Sequence, residues 1–367
     1  MPGNSSEFYR GKRKKAGPAL IVSIVVLSLI AFVVLLFYGL QKYIVVTNSG
    51  LHLDLPILAD KQTTQSGDDG TAVREFETVN AELIVGEPDY SNVRATAGEG
   101  LKELKAVLVP ADQINADSVN AYADSIGDGN TLMLDLKTVT GMLVWSSETE
   151  IAKGYGTAGT VDLKPIITAL HDKNIKVAAR LCCFVDNTLA SRYSQLALHR
   201  STGEAFSDDN GAWLDPSNSI VRDYIISLCK ELDAMGVDEI LLNGMRMPET
   251  EGVTYAYSST TSATPTPQTV ISGFAISVTR TLKSMSANLS VQVGSDKAMQ
   301  SVDDVTGQSA QLFFKVFDRV YRTSSADTAE SEQSAAKSMV ELGNVKYRYV
   351  PIVVDSTPGT ACWMKMN

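Results

Sequence analysis

Residues 235–248 read Met235-Gly236-Val237-Asp238-Glu239-Ile240-Leu241-Leu242-Asn243-Gly244-Met245-Arg246-Met247-Pro248. A helical repeat ends at Met235, Gly236 stands where a left-handed cap closes a helix, an apolar run follows, and a polar cluster leads into a proline. The order is helix, buried strand, loop. In a parallel barrel or a doubly wound sheet, chemistry sits at the carboxyl end of such a strand. Asn243 and Arg246 are therefore candidate site residues. Asn243 is an amide, and an amide serves as neither nucleophile, acid nor base.

On either side of this stretch the same unit recurs. Apolar, β-branched runs fall at 104–109, 131–136, 175–184, 289–293, 312–321 and 347–355, with an eighth candidate at 361–366. Between most of them lie amphipathic helical patterns. Leu163, Ile166, Ile167 and Leu170 share one face behind Asp162, a plausible N-cap. Val221, Ile225, Leu228 and Leu232 form a stripe behind Asp215-Pro216, which is expected to open that helix. Continuous apolar strands alternating with helices imply parallel pairing with both faces covered. The expected fold is α/β, a (β/α)8 TIM-type barrel over 103–367.

Several polar residues lie inside or just beyond these strands. Asp135 and Lys137 are two apart, on one side of an ideal strand, which would let Lys137 hold a site carboxylate. Arg180 is a charge within a buried run and needs a carboxylate partner, Asp135 or Glu239. Asp186 follows on the way to the rim. Trp213 offers a ring on which a sugar could stack, and Asp215 precedes a proline as helix caps often do. Arg246 has Glu249 and Glu251 as nearby partners. The Ser-, Thr- and Pro-rich stretch 255–269 reads as a rim loop after the fourth strand.

The N-terminal part has a different character. Residues 1–17 carry five basic side chains against Glu7, and residues 19–40 form an uncharged run of 22 residues rich in Val, Ile and Leu. About 20 such residues cross a bilayer. The basic flank places the N-terminus in the cytoplasm and the remainder outside. The expected organisation is a basic tail (1–17), a transmembrane signal anchor (18–41), a juxtamembrane hairpin and flexible tether (42–102) and the barrel. Within 42–102, 43–47 and 51–55 flank Asn48-Ser49-Gly50 as a hairpin, 61–71 is the tether, and 81–85 reads as a short strand.

The whole chain of 367 residues has a net charge of −10, and the basic tail holds +4, so the rest carries −14. An acidic body does not suit nucleic acid as a partner. Cys182, Cys183, Cys229 and Cys362 lack metal-ligand spacing and read as buried thiols, with a Cys183–Cys229 disulfide left open. His52, His171 and His199 are scattered, so no metal site and no cofactor is expected.

Taken in order, Leu134-Asp135-Leu136-Lys137 with Gly141, Ala179-Arg180 with Phe184-Val185-Asp186, Trp213-Leu214-Asp215-Pro216, and Asp238-Glu239-Ile240 with Arg246-Met247-Pro248 resemble a glycoside hydrolase domain family of membrane-anchored or secreted bacterial proteins. That family is distantly similar to α-amylase-type barrels. The resemblance implies a carbohydrate substrate, with Asp135 and position 243 as catalytic residues and Lys137, Arg180, Asp186, Trp213, Asp215 and Arg246 in substrate binding. The family's fourth strand reads Asp-Glu-Ile-Gln-Phe-Asp-Tyr-Ile-Arg-Phe-Pro, so Asn243 replaces its second aspartate and Gly244 its tyrosine. The fifth strand, Val291-Gln292-Val293-Gly294-Ser295, lacks the family's aspartate. Two carboxylates about 5–5.5 Å apart serve a retaining glycosidase and a wider pair an inverting one. The expectation is a membrane-anchored, extracytoplasmic barrel acting on polysaccharide or cell-wall glycan. A non-catalytic carbohydrate-binding or cell-envelope scaffold protein is the alternative.

Overall fold

The computed structural model describes residues 44–47, 50–53, 97–258, 265–340, 344–354 and 356–366. The chain divides into two compact units, Met1–Leu83 and Ile84–Asn367. In the first, Ile44–Thr47 pairs antiparallel with Gly50–Leu53, the hairpin expected around Asn48-Ser49-Gly50. The anchor at 19–40, the tether at 61–71 and the strand expected at 81–85 lie outside the described residues. Among the described residues no helix is long and apolar enough to cross a membrane.

The second unit is a closed barrel of eight parallel strands in sequential order. They are β1 (Leu104–Val109), β2 (Thr131–Lys137), β3 (Lys176–Cys182), β4 (Glu239–Asn243), β5 (Asn288–Val293), β6 (Val320–Thr323), β7 (Tyr349–Val353) and β8 (Cys362–Lys365). β8 pairs with β1 to close the ring. Side chains alternate across each strand, so two apolar layers form. Leu104, Ala106, Leu108, Met133, Ala178, Leu241, Tyr321, Val350, Ile352 and Met364 fill the barrel. Leu132, Leu134, Val177, Ala179, Ile240 and Leu242 face the other way, into the layer shared with the helices.

The helices follow their sequence signals. Asp162 accepts from Lys164 N to start Leu163–Asp172, and Gly236, at φ 98°, ends Ser219–Met235. The start of the latter helix is corrected: Asn218, not Asp215, is its N-cap, accepting from Ile220 N at 2.9 Å. Asp215 instead holds a turn before it, accepting from Ser217 N at 2.8 Å. Two expected strands also begin later than read. Residues 310–316 form a helix, Ala310–Val316, capped by Ser309, before β6. Phe313, Phe314, Val316 and Phe317 recur at three- and four-residue spacing, which buries them on one helical face. Val345–Arg348 likewise forms a helical turn before β7.

β2 carries an irregularity that matters for the site. Its register with β3 runs Leu134↔Ala179 and Asp135↔Arg180, then shifts so that Lys137 pairs with Leu181. Such a bulge advances the strand by one residue and reverses which face the next side chain takes. Asp135 therefore keeps the interior phase of Met133, while Lys137 turns to the outer layer with Leu181.

Candidate functional site

Continuing the inward alternation to the carboxyl ends of the strands brings Asp135, Arg180, Asn243, Gln292 and Thr323 to the upper end of the barrel interior. There a cavity of 270 Å³ opens, lined by Asn243, Gln292, Thr323, Arg246, Glu249 and Asn210 among others. A larger cavity of 350 Å³ lies at the opposite end, around Lys102, Thr131, Asp238, Glu239 and Arg319. In parallel barrels that amino-terminal end serves stability, and chemistry sits at the carboxyl ends. The smaller cavity is the candidate site.

Asp135 and Arg180 form an ion pair, with Nη1 3.1 Å from Oδ2 and side chains 14% and 17% exposed. Of the two partners open to Arg180, the barrel selects Asp135 because their strands bring them into register. Burial raises the Asp135 carboxyl pKa above its ordinary value, and Arg180 opposes that shift without cancelling it. A raised pKa in the folded protein favours the protonated native form. Its stabilising contribution is complete below pH 3.8, the ordinary value, and is lost as pH rises through the folded pKa. Denaturation of the native chain and of Asp135→Asn across this range should show the native chain losing ground to the variant as pH rises. A difference independent of pH would contradict the shift.

The expectation that Lys137 holds Asp135 is corrected. Lys137 Nζ lies 2.8 Å from Asp186 Oδ2, with both side chains fully buried, and donates to Cys182 O at 2.8 Å. Asp186 Oδ1 accepts from Leu189 N at 2.7 Å and so caps Asn187–Arg192. Gly141 passes so close that a Cβ there would meet Asp186 Oδ1 at 1.9 Å. This pair knits the β2 loop to the β3 loop, and neither member has surface left for a ligand.

Trp213 and Asp215 are also placed differently from the expectation. Trp213 is fully buried, and its indole donates to Asp208 Oδ1 at 2.9 Å. It is no platform for a sugar ring; what sits over it is the Arg246 guanidinium, 5.4 Å from the ring centroid. Asp215, 1% exposed, spends both oxygens on Ser217 and Ser258. It thereby ties the chain after β4 back to the helix entrance. Of the stretch expected as a rim loop, Tyr255–Ala256 pairs with His199–Arg200, and 259–264 lie outside the described residues. Arg246 is the binding candidate that does line the cavity, 3.2 Å from Glu249 Oε1.

Asn243 lines the cavity from the end of β4, half-buried, while its backbone oxygen accepts from Cys183 N at 2.8 Å. Gly244 follows at φ 63°, a left-handed conformation that a tyrosine would adopt only under strain. The loop leaving β4 is thus shaped around glycine here. Gln292, Glu249 and Asn210 complete the lining and were not among the expected site residues. Gln292 was legible: a polar residue at every second position of an apolar strand faces one side, and here that side is the interior. Asn210 comes from the tip of a small hairpin, Ser207–Asp208 with Gly211–Ala212, whose destination no local pattern discloses. Behind the lining, fully buried Gln308 donates to Met245 O and Gln292 O, both at 3.1 Å, and accepts from Gly294 N at 2.8 Å. One amide fixes the ends of β4 and β5 together. All four cysteines are buried and free, and among the described residues no cluster of His, Cys, Asp or Glu could hold a metal ion.

The mouth is polar and carries two amides, Asn243 and Gln292, at strand ends. The sequence profile of a family described as "Putative glycosyl hydrolase domain" matches residues 106–322. The chain belongs to this family. The glycoside hydrolase domain of PgaB (BpsB) from Bordetella bronchiseptica is 11% identical, with 72% of this chain and 93% of that one covered at a TM-score of 0.50. A hypothetical protein from Ruminiclostridium thermocellum is 24% identical over 50% of this chain and 96% of that one, at a TM-score of 0.44. At 11% identity the likeness to the PgaB domain is one of fold. No curated protein matches the chain.

Proposed function

We propose that this is an extracytoplasmic glycan-binding barrel, anchored in the membrane by its N-terminal segment, in which the hydrolytic machinery of the family has been replaced by amides. The observation that carries the reading is the polarity of the mouth: Asn243 and Gln292 line the cavity, while Asp135 is committed to Arg180 at 3.1 Å. Glycosidic hydrolysis by paired carboxylates needs one to attack or activate water and another to hand over a proton. An amide does neither, but it both donates and accepts hydrogen bonds, which is what sugar hydroxyls require. The cavity of 270 Å³ lies just under the range of about 300–1,000 Å³ usual for ligand sites, a size for one ring of a longer chain. The anchor rests on the apolar run at 19–40 and its basic flank.

One observation favours a second reading. The raised carboxyl of Asp135, at the same end of the barrel as the cavity though not in its lining, is what a general acid requires. The two readings separate in one experiment. Incubating the full chain with a panel of polysaccharides and cell-wall fractions, and measuring both co-sedimentation and new reducing ends, should give binding without release. Release that disappears in Asp135→Ala would establish hydrolysis through Asp135 and overturn the non-catalytic reading.

A further inference from the structure

The mouth holds a polar atom that the fold leaves unanswered. Gln292 Oε1 is buried and accepts no hydrogen bond, although Gln292 lines the cavity. Its neighbourhood is otherwise tightly satisfied, since Gln308 takes up the backbone oxygen of Gln292 itself and the amide of Gly294. A second orphan, Arg180 Nε, belongs to the interior-facing end of β3. Buried polar groups in native proteins are overwhelmingly paired, and one left unpaired is destabilising. A carbonyl oxygen is answered only by a donor. A hydroxyl or an N–H can supply one, whereas an ionised carboxylate or phosphate diester cannot.

The charges around the mouth point the same way. The charged residues lining the cavity are Arg246 and Glu249, and they pair with each other at 3.2 Å. Asp135 and Arg180 pair at 3.1 Å. Arg322, the next cation along β6, is engaged by Asp296 and Glu332. An anion seeking Arg246 would have to displace Glu249, and a cation seeking Glu249 would have to displace Arg246, so neither sign finds a counter-charge waiting for it. What remains is neutral: the Thr323 hydroxyl and the amides of Asn243, Gln292 and Asn210, the last of which also donates to Asp208 Oδ2 at 3.3 Å. Among the described residues no aromatic side chain lines the cavity, so the recognition they offer is by hydrogen bonds and not by ring stacking.

We infer that the cavity takes a neutral, hydroxyl-bearing sugar residue, hydrogen-bonded by the Gln292 carboxamide, which turns its buried Oε1 towards the cavity to accept from the ligand. The inference rests on the glycan-binding reading and narrows it to uncharged glycans. Calorimetric titration of the full chain with neutral oligosaccharides (cello-oligosaccharides and N-acetylchito-oligosaccharides), oligogalacturonates and glucosamine oligomers tests it. The neutral series should bind, and both charged series should bind at least about tenfold more weakly, the equivalent of about 1.4 kcal/mol. Gln292→Leu should lower affinity for the neutral ligand about tenfold, near one hydrogen bond's worth. The same change should leave the denaturation midpoint equal or higher, because it removes an orphan from the interior. Gln292→Met, which keeps the side-chain length, serves if the leucine variant does not fold. A charged series binding as tightly as the neutral one overturns the inference and leaves the glycan reading standing. Unchanged affinity in both Gln292 variants overturns the role of that residue. No binding by any series overturns the glycan reading and the inference with it.

Discussion

Lys137→Met should lower the unfolding free energy by about 3–5 kcal/mol, the usual cost of removing one partner from a buried ion pair. Lys137 Nζ is 2.8 Å from Asp186 Oδ2 and both side chains have zero exposure. Without the ammonium, the Asp186 carboxylate stays in a dry interior with Leu189 N still donating to its Oδ1. Urea denaturation reads the loss directly. The cost belongs to the uncompensated charge, so Lys137→Met combined with Asp186→Asn should recover most of it, since asparagine keeps the capping oxygen and carries no charge. A double variant as weak as the single one would assign the loss to packing instead. The pair also has a pH signature. Burial alone would lower the Lys137 pKa, but Asp186 first, with Tyr224 and Cys182, more than offsets it and holds the ammonium above its ordinary 10.5. A raised cation stabilises fully below the unfolded value, so the advantage of the native chain over the double variant should persist to about pH 10.5 and vanish as pH climbs through the folded pKa.

Glu239→Ala should cost as much, again about 3–5 kcal/mol, through a different cluster at the opposite end of the barrel. Glu239 is 2% exposed. It accepts from Tyr321 Oη at 2.6 Å and Ser290 Oγ at 2.8 Å and pairs with Arg319. Arg319 also donates to Lys102 O and Tyr347 O, so it binds the chain entrance and the start of β7 to the barrel floor. Truncating Glu239 strands a guanidinium and two hydroxyls at once. Glu239→Gln retains an oxygen for the hydroxyls and loses only the charge, so its thermal midpoint should fall between those of the native chain and the alanine variant. If Glu239→Ala instead left the midpoint unchanged, the cluster would carry no stability and a ligand role at the floor would become the better account. Both predictions concern residues within the family-like stretches. Lys137 and Asp186 read as site residues by position and Glu239 as one of two candidate partners for Arg180, yet their burial makes all three the framework under the site.

The barrel was legible because its cause is local. Strand β4 needed only an apolar run between Gly236 and Pro248, and Leu163–Asp172 only an N-cap and a 3.6-residue stripe. Eight such units with both faces apolar leave few arrangements other than a parallel ring. Where reading failed, two local signals competed. Residues 312–321 are apolar throughout, and the helical spacing of Phe313, Phe314 and Phe317 lay inside a run that also reads as a strand. Asp215-Pro216 has the look of a helix start, but Asn218 two residues on makes the cap.

The site divides along the same line. The sequence by itself determined that an amide ends the fourth strand where the family has an aspartate, that the fifth strand carries Gln292 and no aspartate, and that Asp135 and Arg180 are charges which must be answered. Which charge answers which was decided by tertiary structure. The bulge after Asp135 turns Lys137 away to Asp186, the barrel register gives Arg180 to Asp135 and leaves Glu239 to Arg319, and Trp213 is closed over by Arg246. Partners in the three ion pairs stand 45 to 80 residues apart. Their choice depends on a phase reversal at a single residue and on the stagger of strands around a closed ring, quantities that no stretch of the chain contains alone.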